Sequence, residues 1–409
     1  MVEIFIQLGR QRALALAEIF ALFPKAKLSY EGSEILLLEM DLGDEVRAKL
    51  NSLGGSPRWG EIIFTENYFR GEPKRDLKIK ITDYLGREEA IKDFAFSFLP
   101  FWGELKETDF AWARPTGVEI KKNLKKTGRQ IRFFTTNKLN AAPAVLQSEK
   151  MATAVGCDLV FMPGREEVLI GRTRFLQNVG EWSARDYERP ARDAKAGMLP
   201  PKVARMMINL ATKNKEAILD PFCGSGTILQ EATLLGFNHI IGTDASEQQI
   251  KNTALNLNQL KTQNSKLKTT LLFSPFSNLP DKLGSKSQSL IVTEPYLGLP
   301  HTTDLRQKLL AEEVTKMTDL YYKFIKFLQQ ILTVGGRACF VAPVWHQRTD
   351  QVYLPIDQIL GSASDLKIIK IIPEKFVPLL ADYLSPRGQI LYGRDQQHLW
   401  REIWLIEKV

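Results

Sequence analysis

The chain has 409 residues, of which 44% are hydrophobic and 25% charged, a balance typical of folded globular proteins and not of disordered chains. This length predicts two or three domains. The formal net charge of +8 favours polyanionic partners, although charge alone is a weak indicator. Three well-separated cysteines without a CxxC pair favour neither a disulfide framework nor a cysteine zinc site. We find no leader and no apolar run of about 20 residues, so we expect a soluble, cytoplasmic protein.

The first part of the chain mixes short strand and helix patterns. The predicted elements are a strand over residues 2–8, a helix over 11–23, a hairpin over 27–40, a helix over 45–53 and a strand over 61–65. This order predicts a small α+β domain over residues 1–66.

A second predicted domain covers residues 67–176. Its predicted elements are a helix over residues 117–127, a strand over 130–135 and a strand pair over 159–162 and 168–173. The segment that follows is polar, charged and interrupted by proline, and we interpret residues 177–200 as a linker.

Strands and helices alternate in the remainder, residues 201–409. The predicted strands are 217–219, 239–243, 269–273, 290–292 and 337–343, the predicted helices are 227–235, 246–260 and 320–332, and the tail adds elements at 366–372 and 399–406. Such alternation indicates an α/β domain with a mostly parallel sheet covered by helices.

A glycine-rich loop follows the first of these strands, in the string AILDPFCGSGT. Asp220 precedes Gly224 and Gly226, and glycines permit a tight turn and close approach of backbone to a ligand. The loop lacks the third glycine of a dinucleotide site, where Leu229 stands, and the GK[ST] of a P-loop. DPFCGSGT instead resembles motif I of nucleic-acid amino-methyltransferases, in which the acid and the loop backbone surround the methionine part of the cofactor. An ordinary strand-to-helix turn is the alternative.

The ends of the next two strands supply further candidates. Asp244 ends the string IIGTD and suits the acceptor of a ribose hydroxyl, although an aspartate there is often a helix N-cap. Ser274 suits a contact with the adenine amine and Phe276 a cover for the ring, with core packing as the alternative. The predicted cofactor-binding residues are Asp220, Pro221, Phe222, Gly224, Gly226, Thr227, Asp244, Ala245 and Ser274.

The fourth strand runs into the string TEPYLG, where amino-methyltransferases carry [DNS]PP[YFW]. Transfer to an exocyclic amine needs acceptors for its hydrogens and a flat surface for an extruded base. We predict Glu294 and the carbonyl of Pro295 as the acceptors and Tyr296 as the surface. The string departs from the pattern, because Glu replaces Asp or Asn, one proline is missing and the aromatic comes one place early. A strand-end turn without catalysis is the alternative.

A basic cluster lies in the segment KKNLKKTGRQIR, and arginines recur in the predicted linker. Such side chains suit phosphate contacts, which give affinity without reading sequence, and a solvated helix face is the alternative. The predicted RNA-binding residues are Lys121, Lys122, Lys125, Lys126, Arg129, Arg132, Arg189 and Arg192.

The order RDYERPARD, GMLPPKVARMMINLA, DPFCGSGT, TEPYLG and LYGRDQQHLWREIWL resembles the tRNA guanosine-10 N2-methyltransferases of archaea and eukaryotes and their bacterial relatives. The resemblance is specific from about Arg185 onward. It implies a ferredoxin-like domain, a THUMP-like RNA-binding domain and a Rossmann-like domain that uses S-adenosylmethionine. It also implies that Asp220, Gly224, Gly226 and Asp244 line the cofactor site, and that residues 294–296 line the target base.

We therefore expect a methyltransferase that modifies an exocyclic amine in structured RNA, guanine N2 of tRNA in the first instance. The alternatives are an amino-methyltransferase acting on rRNA or DNA, and a catalytically silent RNA-binding protein that keeps its cofactor site. We expect neither a metal nor a membrane partner, and the sequence is compatible with a monomer.

Overall fold

The computed structural model of the protein describes residues 1–30, 32–67, 75–136, 141–191, 198–260, 267–298, 305–347, 350–394 and 397–409. The chain forms two compact units. The first contains residues 1–12 and 23–179, and the second contains residues 13–22 and 180–409.

Within the described residues, the first unit contains a sheet of eight strands. These are β1 (Val2–Gln7), β2 (Lys27–Tyr30), β3 (Ile35–Met40), β4 (Arg58–Asn67), β5 (Asp93–Phe98), β6 (Arg132–Phe134), β7 (Gly156–Pro163) and β8 (Glu167–Leu176). The helices up to this point of the chain are α1 (Arg12–Leu22), α2 (Asp44–Asn51), α3 (Arg75–Arg87), α4 (Ala113–Lys126) and α5 (Pro143–Ser148). The strand order is β2-β3-β1-β4-β8-β7-β5-β6.

The predicted hairpin over residues 27–40 is confirmed, because β2 and β3 pair antiparallel with Leu28 opposite Leu38. Strand β4 pairs with β8 from Arg58 opposite Leu176 to Asn67 opposite Glu167. The segments predicted as two domains, residues 1–66 and 67–176, thus contribute strands to one continuous sheet. Their division into domains stays a prediction.

A polar network lies inside the first unit. Arg58 and Asp158 are both buried, and Nη1 of Arg58 donates to Oδ2 of Asp158 at 3.0 Å. The hydroxyls of Ser97 and Thr173 donate to the same carboxylate, each at 2.6 Å. A buried charge is tolerated when it is paired and hydrogen-bonded in this way.

The described part of the second unit has a nine-stranded sheet. Its strands are β9 (Ala217–Asp220), β10 (His239–Asp244), β11 (Lys268–Phe273), β12 (Gln288–Thr293), β13 (Leu332–His346), β14 (Gln351–Tyr353), β15 (Leu366–Ile368), β16 (Ile390–Tyr392) and β17 (Leu399–Lys408). The helices from residue 179 onward are α6 (Val179–Tyr187), α7 (Pro201–Ala211), α8 (Thr227–Leu234), α9 (Glu247–Gln259), α10 (Leu279–Leu283), α11 (Gln307–Ile331) and α12 (Ile356–Gly361).

This sheet confirms the predicted parallel arrangement. Its main path is β11-β10-β9-β12-β13-β17-β15, and the pairs from β11 to β13 are parallel. Strand β17 then runs antiparallel to β13. The chain thus moves outward from β9 in one direction through β10 and β11 and in the other through β12 and β13. The point between β9 and β12 is a topological switch point, where open α/β sheets bind ligands.

Part of the predicted linker is helical, since residues 179–187 form α6. Trp182 of this helix is buried, with the guanidinium carbons of Arg185 and Arg205 at 4.3 Å and 4.7 Å from its ring centroid. Both arginines bind the buried carboxylate of Glu231 on α8. The polar composition that suggested a linker therefore belongs to a packed helix. No helix in the described ranges is both long and apolar enough to cross a membrane.

Candidate active site

The predicted cofactor and substrate residues meet at one edge of the second sheet. Strands β9 to β12 run parallel, so the segments that follow them leave the sheet on the same side. There the amide of Gly224 donates to Oδ2 of Asp244 (3.0 Å), and the hydroxyl of Thr293 donates to Oδ1 of Asp220 (2.6 Å). The amide of Ser274 donates to the carbonyl oxygen of Asp244 (2.9 Å). These bonds connect the carboxyl ends of four neighbouring strands.

The loop between β9 and α8 uses backbone conformations that glycine adopts readily. The φ angle is +49° at Gly224 and +86° at Gly226. A Cβ at Gly226 would lie 2.9 Å from Cγ2 of Thr253, whose hydroxyl donates to the carbonyl of Gly224 (2.7 Å). A Cβ at Gly224 would meet no atom of the described residues within 4 Å. The loop thus presents open backbone at the sheet edge, which close approach to a ligand requires.

Asp220 is buried at the start of this loop. Its Oδ1 accepts from the hydroxyl of Thr293 and from the amide of Phe222 (3.2 Å). Burial raises the pKa of Asp220 to about 7, with the nearby carboxylates of Asp244 and Glu294 adding to the rise and the two hydrogen bonds opposing it. Asp220 therefore changes its charge near neutral pH, in the centre of the candidate site.

Asp244 lies half-buried at the end of β10. Its Oδ1 accepts from the amide of Ser246 (2.8 Å) while Oδ2 accepts from Gly224. The N-cap of α9 is Ser246, whose hydroxyl oxygen accepts from the amide of Gln249 (3.4 Å). The carboxylate of Asp244 is thus tied to the glycine loop, and Ala245 beside it is exposed.

The side chains of Ser274 and Phe276, which follow β11, contact other residues of the protein. Ser274 is buried, and its hydroxyl donates to the carbonyl of Pro275 (3.2 Å). The ring of Phe276 lies 5.0 Å from that of Phe222 and 5.5 Å from that of Phe327, measured between centroids. For Phe276 the structure supports the core-packing alternative. An adenine contact by Ser274 stays a prediction.

Glu294 follows β12 and forms a two-point ion pair that the sequence interpretation missed. Nε of Arg401 donates to Oε2 of Glu294 at 2.6 Å, and Nη2 donates to Oε1 at 3.1 Å. The side chain of Arg401 is 8% exposed, and that of Glu294 is 15% exposed. Burial acts to lower the pKa of Arg401, and the paired Glu294 outweighs it, so that pKa is raised. A charged residue inside the apolar string LWREIWL was the signal for a partner, because a buried charge needs one.

The next two residues of the TEPYLG string differ in exposure. Pro295 is buried, whereas Tyr296 exposes 45% of its surface. Burial and the nearby carboxylate of Glu313 raise the pKa of Tyr296. The ring of Tyr296 is therefore accessible at the sheet edge, as stacking on a base requires.

Arg189, predicted to bind RNA, takes another position. It is buried, and its Nη1 donates to the hydroxyl of Thr227 (2.8 Å), the first residue of α8. Asn256 of α9 reinforces this contact, because its Nδ2 donates to the carbonyls of Ala191 and Ser225, each at 2.8 Å. Arg189 and Asn256 thus connect residues 189–191, which follow α6, to the glycine loop. The prediction that Arg189 faces RNA is corrected, because its guanidinium points into the protein.

The other predicted RNA-binding residues belong to the first unit, apart from Arg192, which lies outside the described residues. Lys122, Lys125 and Lys126 are exposed on α4, and Lys121 is half-buried. Among the described residues none of these four lysines forms an ion pair.

Arg129 and Arg132 are engaged within the protein. Arg129 donates from Nη1 to the carbonyl of Gly86 (2.8 Å) and from Nη2 to that of Ile91 (2.9 Å). Arg132 binds Asp93 and Glu149, each at 2.7 Å. Within the described part of the chain, the cations of the predicted cluster that form no ion pair are therefore the lysines of α4.

The second unit has the Rossmann-like methyltransferase fold, with the glycine loop and the TEPYLG string at the carboxyl ends of its strands. A family model described as DNA methylase matches residues 172–255. The solved structure of TrmN from Thermus thermophilus aligns over the whole of both chains with a TM-score of 0.54 and 16% identity, a likeness of fold.

Two curated relatives carry the name tRNA (guanine(10)-N2)-dimethyltransferase. The chain is 32% identical over 139 residues to that of Methanocaldococcus jannaschii and 31% identical over 184 residues to that of Methanothermobacter thermautotrophicus. These matches cover 32% and 45% of this chain, and 39% and 47% of the relatives. The chain thus matches less than half the length of either relative. The resemblance predicted from the motifs is confirmed.

Proposed function

We propose that the protein transfers a methyl group from S-adenosylmethionine to an exocyclic amine in RNA, with N2 of guanine in tRNA as the target. One observation carries the proposal: the glycine loop, Asp220, Asp244 and Glu294 lie together at the switch point of a parallel sheet. Ligands of open α/β sheets bind at such points. The names of the curated relatives support the substrate, and tRNA as substrate would put the protein in the cytoplasm.

The residues at this edge fit the proposed cofactor. Gly224 would bring open backbone to the methionine part, and each oxygen of Asp244 accepts one backbone bond and keeps a lone pair for a ribose hydroxyl. Asp220, once ionised, would favour a cationic ligand. The cofactor supplies an activated methyl group, whose bond to sulfur breaks with the electron pair left on sulfur as the bond to nitrogen forms.

The acceptor side would be formed by the TEPYLG string. Glu294 and the Pro295 carbonyl accept the hydrogens of the amine, and the exposed ring of Tyr296 stacks on the base. The surplus proton of the methylated amine leaves to solvent. Orientation of the amine supplies most of the acceleration, because the methyl donor is already activated.

The first unit would bind the RNA. The exposed lysines of α4 suit phosphate contacts, which fix the position of a nucleic acid without reading its bases. In this proposal residues 1–66 form the ferredoxin-like domain and residues 67–176 form the THUMP-like domain. The target base is then selected by its distance from the part of the tRNA that the THUMP-like domain binds.

The test is incubation of the purified protein with methyl-labelled cofactor and unmodified tRNA, followed by nucleoside analysis. Labelled N2-methylguanosine supports the proposal, and mapping its position tests the assignment to tRNA position 10. The family model described as DNA methylase makes duplex DNA a necessary second substrate in this assay. Label in DNA alone, or no label although the cofactor binds, would overturn it.

A further inference from the structure

We propose that Arg401 is a positioning residue of the acceptor site, whose guanidinium holds the Glu294 carboxylate in a fixed orientation toward the target amine. The inference rests on the function proposed above and deepens it. Nothing in the motif pattern assigns a role to Arg401, and its two contacts with Glu294, at 2.6 Å and 3.1 Å, carry the argument.

The ion pair fixes the orientation of the Glu294 carboxylate and still leaves it able to accept further hydrogen bonds. Two parallel N–H···O bonds fix the plane of the carboxylate, which a single contact would leave free to rotate. A carboxylate offers about four lone-pair positions, and the fork of Arg401 uses two of them. The remaining positions can accept the hydrogens of an exocyclic amine. The ring of Tyr392 packs against Arg401, with its centroid 5.7 Å from the guanidinium carbon. This contact limits the movement of the Arg401 side chain.

The pair also gives a physical reason for glutamate in this string. Glu294 follows β12 and Arg401 belongs to β17, and β13 lies between these strands. Neighbouring strands are about 4.8 Å apart, so the pair spans about 10 Å of sheet. An aspartate is shorter by one methylene and would not reach the fork of Arg401 with both oxygens. Glu294 stands where the amino-methyltransferase pattern has Asp or Asn. This difference and the arginine on β17 thus belong to one ion-pair arrangement.

Arg401 supplies positive charge beside the Glu294 carboxylate. Among the described residues, the titratable groups that interact with this carboxylate include Asp220 on β9, Tyr321 on α11, Tyr392 on β16 and Arg401 on β17. Arg401 is the cation among these four. Without it, a half-buried Glu294 would share the site with Asp220 and would lack its paired cation. Its carboxylate would also be free to rotate, so the amine would be poorly oriented.

The experiment compares Arg401→Met, Arg401→Lys and Glu294→Gln with the wild type. The readouts are kcat on tRNA at saturating cofactor between about pH 6 and 9, and the Kd of S-adenosylmethionine. We expect Arg401→Met to lower kcat about 100-fold while the Kd changes less than about 3-fold, because misplacement of a reacting group has effects of that size. Glu294→Gln should lower kcat as well, because the amide keeps one acceptor oxygen and replaces the other with a donor. Arg401→Lys should recover part of kcat, since it restores the charge without the fork.

A further readout is the double variant Arg401→Met/Glu294→Gln. Its kcat should be no lower than that of Glu294→Gln alone, because Arg401 acts through Glu294. The matched control is Arg337→Met, which removes an arginine–glutamate pair (Arg337 Nε to Glu407 Oε2, 2.8 Å) between β13 and β17, at the end of β17 away from Arg401. It should leave the kcat profile unchanged.

Three outcomes would overturn the proposal. If the wild type methylates guanine in tRNA and Arg401→Met keeps its kcat and pH profile, Arg401 has no positioning role although the proposed function stands. If the folded, cofactor-binding wild type transfers no methyl group, the proposed function fails, and this inference fails with it. Should Arg401→Met not fold, Arg401→Lys decides: a lower kcat with an unchanged cofactor Kd supports the role, and an unchanged kcat overturns it.

Discussion

Asp220 couples the stability of the second unit to pH. Its folded-state pKa of about 7 lies above the ordinary value of 3.8, so the folded protein retains a proton that the unfolded chain releases. The stabilising contribution of the neutral carboxyl is complete below about pH 4 and is lost as the pH rises through about 7. The loss is on the order of 4 kcal/mol, given about 1.36 kcal/mol for each unit of pKa.

We predict that Asp220→Asn removes this pH dependence. The asparagine can keep Oδ1 as the acceptor for Thr293 and Phe222, so the substitution mainly removes the charge. Free energies of unfolding from urea titrations should agree between variant and wild type near pH 4, with the variant more stable at pH 8. Asp319→Asn, on the exposed part of α11, is the control and should leave the difference between pH 4 and 8 unchanged. Parallel curves for Asp220→Asn and wild type would contradict the prediction.

The same residue should govern cofactor affinity. S-adenosylmethionine carries a positive sulfonium, so we predict that its Kd falls as the pH rises through about 7 and Asp220 ionises. Asp220→Asn should bind more weakly at pH 8 and should lose this pH dependence, as isothermal titration calorimetry would measure. An unchanged pH dependence in Asp220→Asn would assign the effect to another group.

At the scale of single residues, the sequence predicted which strand ends carry function but not how their side chains are paired. Asp220, Asp244 and Glu294 were found because they follow buried strands within recognisable strings. The partner of Glu294 was not, since Arg401 lies 107 positions further along the chain. Arg189 was assigned to RNA because an arginine in a polar segment usually faces solvent, whereas here its guanidinium donates a hydrogen bond to the hydroxyl oxygen of Thr227. Pairing depends on tertiary structure, which local patterns do not contain.

The glycine loop is the element on which the candidate cofactor site depends, and Gly226 is its tightest point. We predict that Gly226→Ala lowers the free energy of unfolding by about 1–3 kcal/mol more than Gly236→Ala. The two glycines flank α8 with nearly equal φ angles of +86° and +84°, so the backbone strain is matched. They differ in space, because a Cβ at Gly226 would meet Thr253 and one at Gly236 would meet nothing within 4 Å of the described residues.

Urea titrations and cofactor binding together test this prediction. Gly226→Ala should also weaken cofactor binding, because Thr253 holds the carbonyl of Gly224 and would have to move. Gly236→Ala should leave the Kd unchanged. Equal losses of stability in the two variants would show that the contact with Thr253 is easily relieved.

Helix α4 carries the predicted RNA contacts in the first unit. We predict that Lys125→Gln/Lys126→Gln weakens tRNA binding and lowers the slope of log K against log salt by about 0.7–0.9 for each phosphate that the variant no longer neutralises. Filter binding at several salt concentrations would measure both. Lys323→Gln/Lys326→Gln on α11 removes the same net charge from exposed positions and should leave the slope unchanged. A similar weakening in both double variants would indicate a general effect of net charge.

At the scale of the whole molecule, the sequence predicted the second unit better than the first. Alternating strands and helices restrict a parallel sheet to few arrangements, because crossover connections have a fixed hand. The first unit offers no such restriction. Strand β5 pairs in parallel with both β6 and β7, and β4 joins β8 across most of the unit, so these strands have partners far away in sequence. The sequence analysis placed α1 in the first domain, and its membership of the second unit was missed for the same reason.

Helix α1 provides the last prediction, because residues 13–22 belong to the second unit although they stand near the start of the chain. Glu18 of α1 is buried and accepts from Nδ2 of Asn209 on α7 at 2.7 Å. Leu16 of this helix is fully buried as well. We therefore predict that Leu16→Ala destabilises the second unit by about 2–5 kcal/mol, the usual range for a leucine removed from a core.

Hydrogen exchange measured by mass spectrometry would locate the effect. Leu16→Ala should accelerate exchange in peptides from α7 and β9, in the second unit, although its site lies about 190 residues away in the chain. Leu38→Ala is the matched control, since Leu38 is equally buried in β3 of the first unit and should accelerate exchange among the strands of that sheet. The two patterns should be distinct because each substitution opens a cavity in a different core. If Leu16→Ala instead perturbed only the first sheet, α1 would belong to the first unit, and a fragment of residues 180–409 should then be as stable as the second unit in the full chain.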